Sequence, residues 1–382
     1  MNSTADQPKP IVSRLAREWP LAVSVATALL FLPFGARWLA DLSHPGWFAF
    51  MLLWLFTVIL LSAFAVVRHA EAIAEQLGEP LGTLVLTLSV TGIEVMMIAA
   101  VMHGGKGSST LARDAMFAVV MIVLNGMVGL TLLLGGLRYH EQTYNLQGAN
   151  AFFAVIVPLA VFGMVLPNFT VSSPGPTLSP LQAIFLIVMS IGLYGVFLAI
   201  QNVRHRDYFV IPERERMSPD GREIHGGSAA SARTVGSSIA LLLVYLLPLV
   251  VLSKQLAIPI NYGMHELRAP AALGGLLVAI LVLSPESLGA ARAALANQLQ
   301  RSVNILLGSV LATISLTIPA VLLIGFLTGQ TVVLGLNAAD MTILLLTLGL
   351  STLTFASART NVLLGAVHLL IFLAYVMLIF EK

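Results

Sequence analysis

The chain has 382 residues, of which 58% are hydrophobic and only 10% charged, where an ordinary soluble domain carries about 25% charged residues. With a mean hydropathy of +0.92, this composition excludes a soluble globular domain and specifies a polytopic membrane protein. The formal charge of +2, spread over basic residues scattered between apolar runs, excludes a nucleic-acid surface, and the lack of any cysteine excludes disulfides and thiolate metal sites.

The first twenty residues are polar, with Lys9, Arg14, Arg17 and Glu18 ahead of the first apolar run, and no cleaved leader is expected. Apolar runs of about 20 residues, the length that crosses the hydrocarbon, predict eleven helices: 21–40, 48–67, 81–102, 115–137, 151–171, 180–200, 236–256, 270–290, 305–328, 338–357 and 360–380. The eighth is expected to be interrupted at Ser284-Pro285-Glu286. With the N-terminus inside, fourteen of the twenty basic residues fall on the cytoplasmic side. The positive-inside rule therefore predicts a cytoplasmic N-terminus and an external C-terminus. The polar stretch 201–235, with six arginines and five acids, reads as a mobile cytoplasmic linker.

Only two of the eighteen acidic residues, Glu94 and Glu286, fall well inside apolar segments. A carboxylate there costs roughly 2.5 kcal/mol or more on insertion scales and is read by default as functional. The sequences leading to the pair match: "LGTLVLTLSVTGIE" (81–94) and "LGGLLVAILVLSPE" (273–286) share Leu-Gly-x-Leu in the same register. Each is followed by a polar turn with an arginine, Arg113 or Arg301, and another apolar helix; this register sets Asn125 against Thr313. The first copy begins after two spans and the second after seven, so they enter the membrane from opposite sides, as in the inverted repeats of secondary transporters. The expected organisation is an N-terminal region with one extra helix (1–47), a first five-helix repeat (48–200), the linker (201–235) and a second five-helix repeat (236–382).

Helix weakeners accompany both acids: Gly92 precedes Glu94 by two residues, and Pro285 immediately precedes Glu286. Thr83, Thr87, Thr91 and Glu94 share one face of their helix. Ser284 and Ser287 flank Glu286, Asn125 lies on the helix after Glu94, and Ser309, Thr313 and Thr317 recur every four residues on the ninth helix. These oxygens suit a hard cation. Two glutamates are neutralised by one calcium or by two protons, so cation and proton would compete for the same site, and no Walker motif points to ATP. Two readings of His368, a packing histidine or a proton relay, stay open. Arg68-His69 and Arg359 read as interfacial anchors, and His103, Lys106, Arg113 and Asp114 as a solvated outer loop.

The paired glutamate repeats, the linker and the stretches "VVRHAEAIAEQLGEPLGTL", "YGVFLAIQ", "LVLSPESLGA", "GSVLATISLTIP" and "RTNVLLGAVHL" resemble the calcium/cation antiporter superfamily in its calcium/proton exchanger branch, the bacterial ChaA type above all. The resemblance implies an all-α inner-membrane antiporter, not an enzyme and without a cofactor, that exchanges Ca²⁺, Na⁺ or K⁺ for H⁺ across the lipid bilayer. It implies that Glu94 and Glu286 bind cation and proton in alternation, with Thr87, Thr91, Asn125, Ser284, Ser287, Ser309 and Thr313 supplying further oxygens. Many members carry Gly-Asn-Ala-x-Glu in both repeats; here Thr91 and Leu283 replace the asparagines, Ala312 replaces a glutamine, and Leu364 stands at an acidic position. Rival readings are a sodium/calcium exchanger without proton coupling, a channel, and an intramembrane enzyme, the last lacking any nucleophile or metal triad.

Overall fold

The computed structural model describes residues 18–77, 81–103, 109–209, 235–266 and 268–381; most of the expected linker, the basic residues before Glu18, and Lys106 lie outside them. Eleven long helices follow one another. They are α1 (Trp19–Trp38), α2 (Pro45–Leu77), α3 (Leu81–His103), α4 (Leu111–Met121 and Val128–Tyr139, joined by a π-helical stretch, Ile122–Met127), α5 (Leu146–Ala160, running into the π-helical stretch Val161–Val165) and α6 (Pro180–Ala199, running into Ile200–Arg204). The later ones are α7 (Val235–Glu266), α8 (Ala271–Leu295), α9 (Leu299–Ala312 and Ile318–Thr328, joined by the π-helical stretch Thr313–Thr317), α10 (Ala338–Thr354) and α11 (Val362–Phe380). Among the described residues nine helices are long and apolar enough to cross a membrane, while α10 and the Thr87–Ala99 part of α3 are shorter apolar segments. The architecture is all-helical and polytopic, an extra helix followed by two sets of five.

Helix starts are set by local chemistry. Asn145, Asn337 and Asn361 each accept a backbone N–H of the first turn, and Ser179 with Gln182 forms a capping box on α6. Several helices run further than hydropathy alone indicates. α2 continues past Arg68-His69 to Leu77, because those side chains are bonded inside the protein rather than left at an interface. α8 is unbroken from Ala271 to Leu295 with Pro285 inside it, which corrects the expected interruption: the proline costs one backbone hydrogen bond without ending the helix.

The buried apolar side chains form two large clusters. One gathers α4, α5, α6, α9, α10 and α11 around Phe152, Phe355 and Tyr375. The other gathers α1, α2 and α7 around Phe31, Leu55 and Tyr245, with Ile93 of α3 and Leu281 of α8 at its edge. Close approach needs small residues: a Cβ on Gly365 of α11 would come within 2.6 Å of the Leu133 nitrogen on α4, and one on Gly275 of α8 within 2.9 Å of the Ala115 nitrogen.

The helix ends define two sides. On the linker side, Gln142-Thr143 pairs antiparallel with Arg359-Thr360, and Asn304 Nδ2 donates to the Phe209 carbonyl at the root of the linker. On the far side, loops are stitched by backbone bonds: Val333 N–H to Ser109 O, Gly335 N–H to Pro176 O and Leu336 N–H to Met164 O. Arg113 Nη1 donates to the Gly335 carbonyl at 2.9 Å.

Candidate cation site

A cavity of about 230 Å³ lies between the two glutamate helices. Glu94 and Glu286 both line it, with Thr87 and Thr91 of α3 and Ser309 and Thr313 of α9. Its lining extends to Glu71 of α2, Gln201 of α6, and Arg301 and Asn304 of α9, all toward the linker-side ends of their helices. The cavity therefore reaches from the middle of the bundle toward the linker side.

Glu94 is 4% exposed. Its Oε2 accepts a hydrogen bond from Thr313 Oγ1 at 2.8 Å, while its Oε1 is buried without a hydrogen-bond partner. Thr317, one turn further along α9, faces the same carboxylate. Across the cavity the Ser309 hydroxyl is directed at Glu286, and Glu286 Oε2 is also buried without a partner. A buried carboxylate oxygen without a hydrogen-bond partner is expensive. Two of them, beside the hydroxyls of one cavity, form a donor set that a proton or a hard cation would complete.

The π-helical stretch in α9 helps to build this site. A π turn widens the helix and is common at functional positions; here it begins at Thr313, the residue that reaches Glu94. The matching stretch in α4 contains Asn125, but Asn125 does not line the cavity. Its Nδ2 donates to Thr347 Oγ1 at 2.8 Å, and its Oδ1 lies 3.2 Å from His368 Nδ1, whose Nε2 is 2.9 Å from Thr354 Oγ1. Because the amide oxygen only accepts, His368 carries its proton on Nδ1 and accepts from Thr354. All four side chains are fully buried.

Ser284 and Ser287 also lie off the cavity: Ser284 is bonded to the Ile280 carbonyl of its own helix, and Ser287 is half-buried beside Glu286. Asp114 is not a solvated loop residue. It is 7% exposed, with Oδ1 accepting from Arg113 Nε and Nη2 and Oδ2 from Thr110 Oγ1. Sequence reasoning missed the α6 contribution: Tyr194, Phe197 and Gln201 line the cavity, and Thr87 is hydrogen-bonded to Tyr194. Their spacing of three and four residues within "YGVFLAIQ" was the available signal.

Comparison with known proteins places these features in context. A family model described as sodium/calcium exchanger protein matches residues 47–203 and again 237–381. Over 322 residues the chain is 43% identical to the sodium-potassium/proton antiporter ChaA of Escherichia coli (strain K12), covering 84% of this chain and 86% of ChaA. The solved structure of native YfkE superposes with a TM-score of 0.68 at 17% identity, covering 95% of this chain and 98% of that one. The crystal structure of the H⁺/Ca²⁺ exchanger CAX superposes with a TM-score of 0.65 at 16% identity, covering 94% and 88%; at such identities both speak for the fold. The chain belongs to the sodium/calcium exchanger protein family.

Proposed function

We propose that this protein is a secondary cation/proton antiporter of a bacterial inner membrane, expelling Ca²⁺ or Na⁺, with K⁺ as a further cargo, in exchange for entering protons. The observation that carries the reading is the pair of carboxylates Glu94 and Glu286, each with one buried, unpartnered oxygen and both lining one hydroxyl-lined cavity. Each carboxylate is occupied by a proton or shares a cation with its mate. The empty, doubly charged pair is the costly state, so the cavity does not change sides unloaded and the two fluxes are coupled. Thr313 and Ser309 hold the carboxylates, and Thr87 and Thr91 supply oxygens along the approach.

Orientation follows from the charge distribution. The linker side is cytoplasmic, so the described conformation receives its cation from the cytoplasm. Residues 48–200 and 236–382 act as two inverted halves that present this cavity to each side in turn. Proton coupling is favoured over sodium/calcium exchange by the relative at 43% identity, which is named a sodium-potassium/proton antiporter.

The test is cation-dependent proton efflux from everted vesicles with Ca²⁺, Na⁺ or K⁺ compared across pH. Glu94→Gln and Glu286→Gln should each abolish it, and substantial activity in either variant rejects the shared site. Calcium uptake that requires sodium and ignores the proton gradient would establish the rival exchanger.

A further inference from the structure

The helix that lies outside both matches to the family, α1, is fastened to the cavity wall. The matched residues begin at position 47, whereas α1 spans Trp19–Trp38. Just before its first turn sits Glu18, a carboxylate only 8% exposed. Arg68 Nη2 donates to Glu18 Oε1 at 3.1 Å and Oε2 at 2.9 Å, His69 Nε2 lies 3.2 Å from Oε2, and the Tyr245 hydroxyl donates to Oε2 at 2.8 Å. Since a carboxylate only accepts, His69 carries its proton on Nε2. At the other end of α1, Trp47 Nε1 donates to the Trp38 carbonyl at 2.8 Å.

One carboxylate thus joins three helices: α1 through Glu18, α2 through Arg68 and His69, and α7 through Tyr245. The α2 residues flanking the clamp, Val67 and Glu71, line the cation cavity. Val67 precedes Arg68 by one residue, about 100° round the same helix, so a shift or rotation of α2 at the clamp moves the cavity wall with it. Glu18 is the buried member of the clamp and Arg68 the part-exposed one, so removing the carboxylate takes an acceptor from Arg68, His69 and Tyr245 at once.

We propose that α1 is a positioning brace for the antiport site, in which Glu18 holds Arg68, His69 and Tyr245 and thereby sets where the Val67–Glu71 wall stands at the cytoplasmic mouth. This rests on the reading that the cavity carries the transported cation. The chain contains no cysteine, so Val67→Cys places a single thiol on that wall in the full-length protein. Its alkylation by a water-soluble maleimide in everted vesicles reports the wall without requiring transport. Adding Glu18→Gln should change the labelling rate several-fold and shift the apparent KM for cation with it; Tyr245→Phe, which removes one donor and keeps the ring, should change the rate less and in the same direction. If Glu18→Gln fails to accumulate, Tyr245→Phe decides. Labelling at the parent rate in every variant that accumulates overturns the brace. Altered labelling in a parent protein that shows no antiport keeps the brace and removes the antiport reading.

Discussion

Thr313 and Asn125 occupy matching places in α9 and α4, each in a π-helical stretch, yet one faces a carboxylate and the other does not. Thr313 reaches across to Glu94. Asn125 turns toward α10 and α11, where Thr347 and His368 engage its amide. The backbone of the repeat is thus retained while these two side chains divide: Thr313 lines the cavity between the glutamates, and Asn125 packs in a buried cluster away from it. Glu286 has Ser309 where Glu94 has Thr313 and Thr317, and each carboxylate keeps one unpartnered oxygen.

This division can be broken in graded ways. The largest effect belongs to the carboxylates themselves: Glu94→Gln and Glu286→Gln should both silence vesicle antiport, because neither half substitutes for the other. Next comes the buried cluster. Asn125→Ala leaves buried groups of Thr347 and His368 without their partner, a loss of about 1–3 kcal/mol, read as a lower Tm in detergent with the cation KM of the surviving protein unchanged; a raised KM with normal stability would instead put Asn125 in the cation site. Thr313→Val deletes a hydrogen bond to a charged group, which contributes about 1.5–3 kcal/mol, so the cation KM should rise about tenfold or more at near-normal stability. Ser284→Ala should be close to silent in both assays, since its hydroxyl bonds only its own helix; a clear transport defect there would restore the symmetric view of the site.

Much of this was legible in the sequence because hydropathy counts what the membrane demands. All eleven helices and both buried acids follow from apolar runs of the right length and from the rarity of charge inside them. The helix ends were less legible. Arg68, His69 and Asp114 look like boundary residues by composition, and only the folded chain supplies Glu18, Thr110 and Arg113 as their partners. Facing was the weakest inference. A regular 3.6-residue period places hydroxyls on a stripe, but a π turn inserts a residue and rotates the remainder of the helix by about 100°. The two π stretches are offset in the repeat register: that of α4 opens three residues before Asn125, that of α9 at Thr313 itself.

The stitching on the far side has a mechanical consequence. Val333, Gly335 and Leu336 are bonded to Ser109, Pro176 and Met164, and Arg113 fastens Gly335 from α4; a Cβ on Gly335 would collide with Pro176 and Asn168. Three separate loops and the start of α4 are thereby tied to one another on that side. Loss of any one of these bonds would leave the others holding the loops together, so the far side is fastened redundantly.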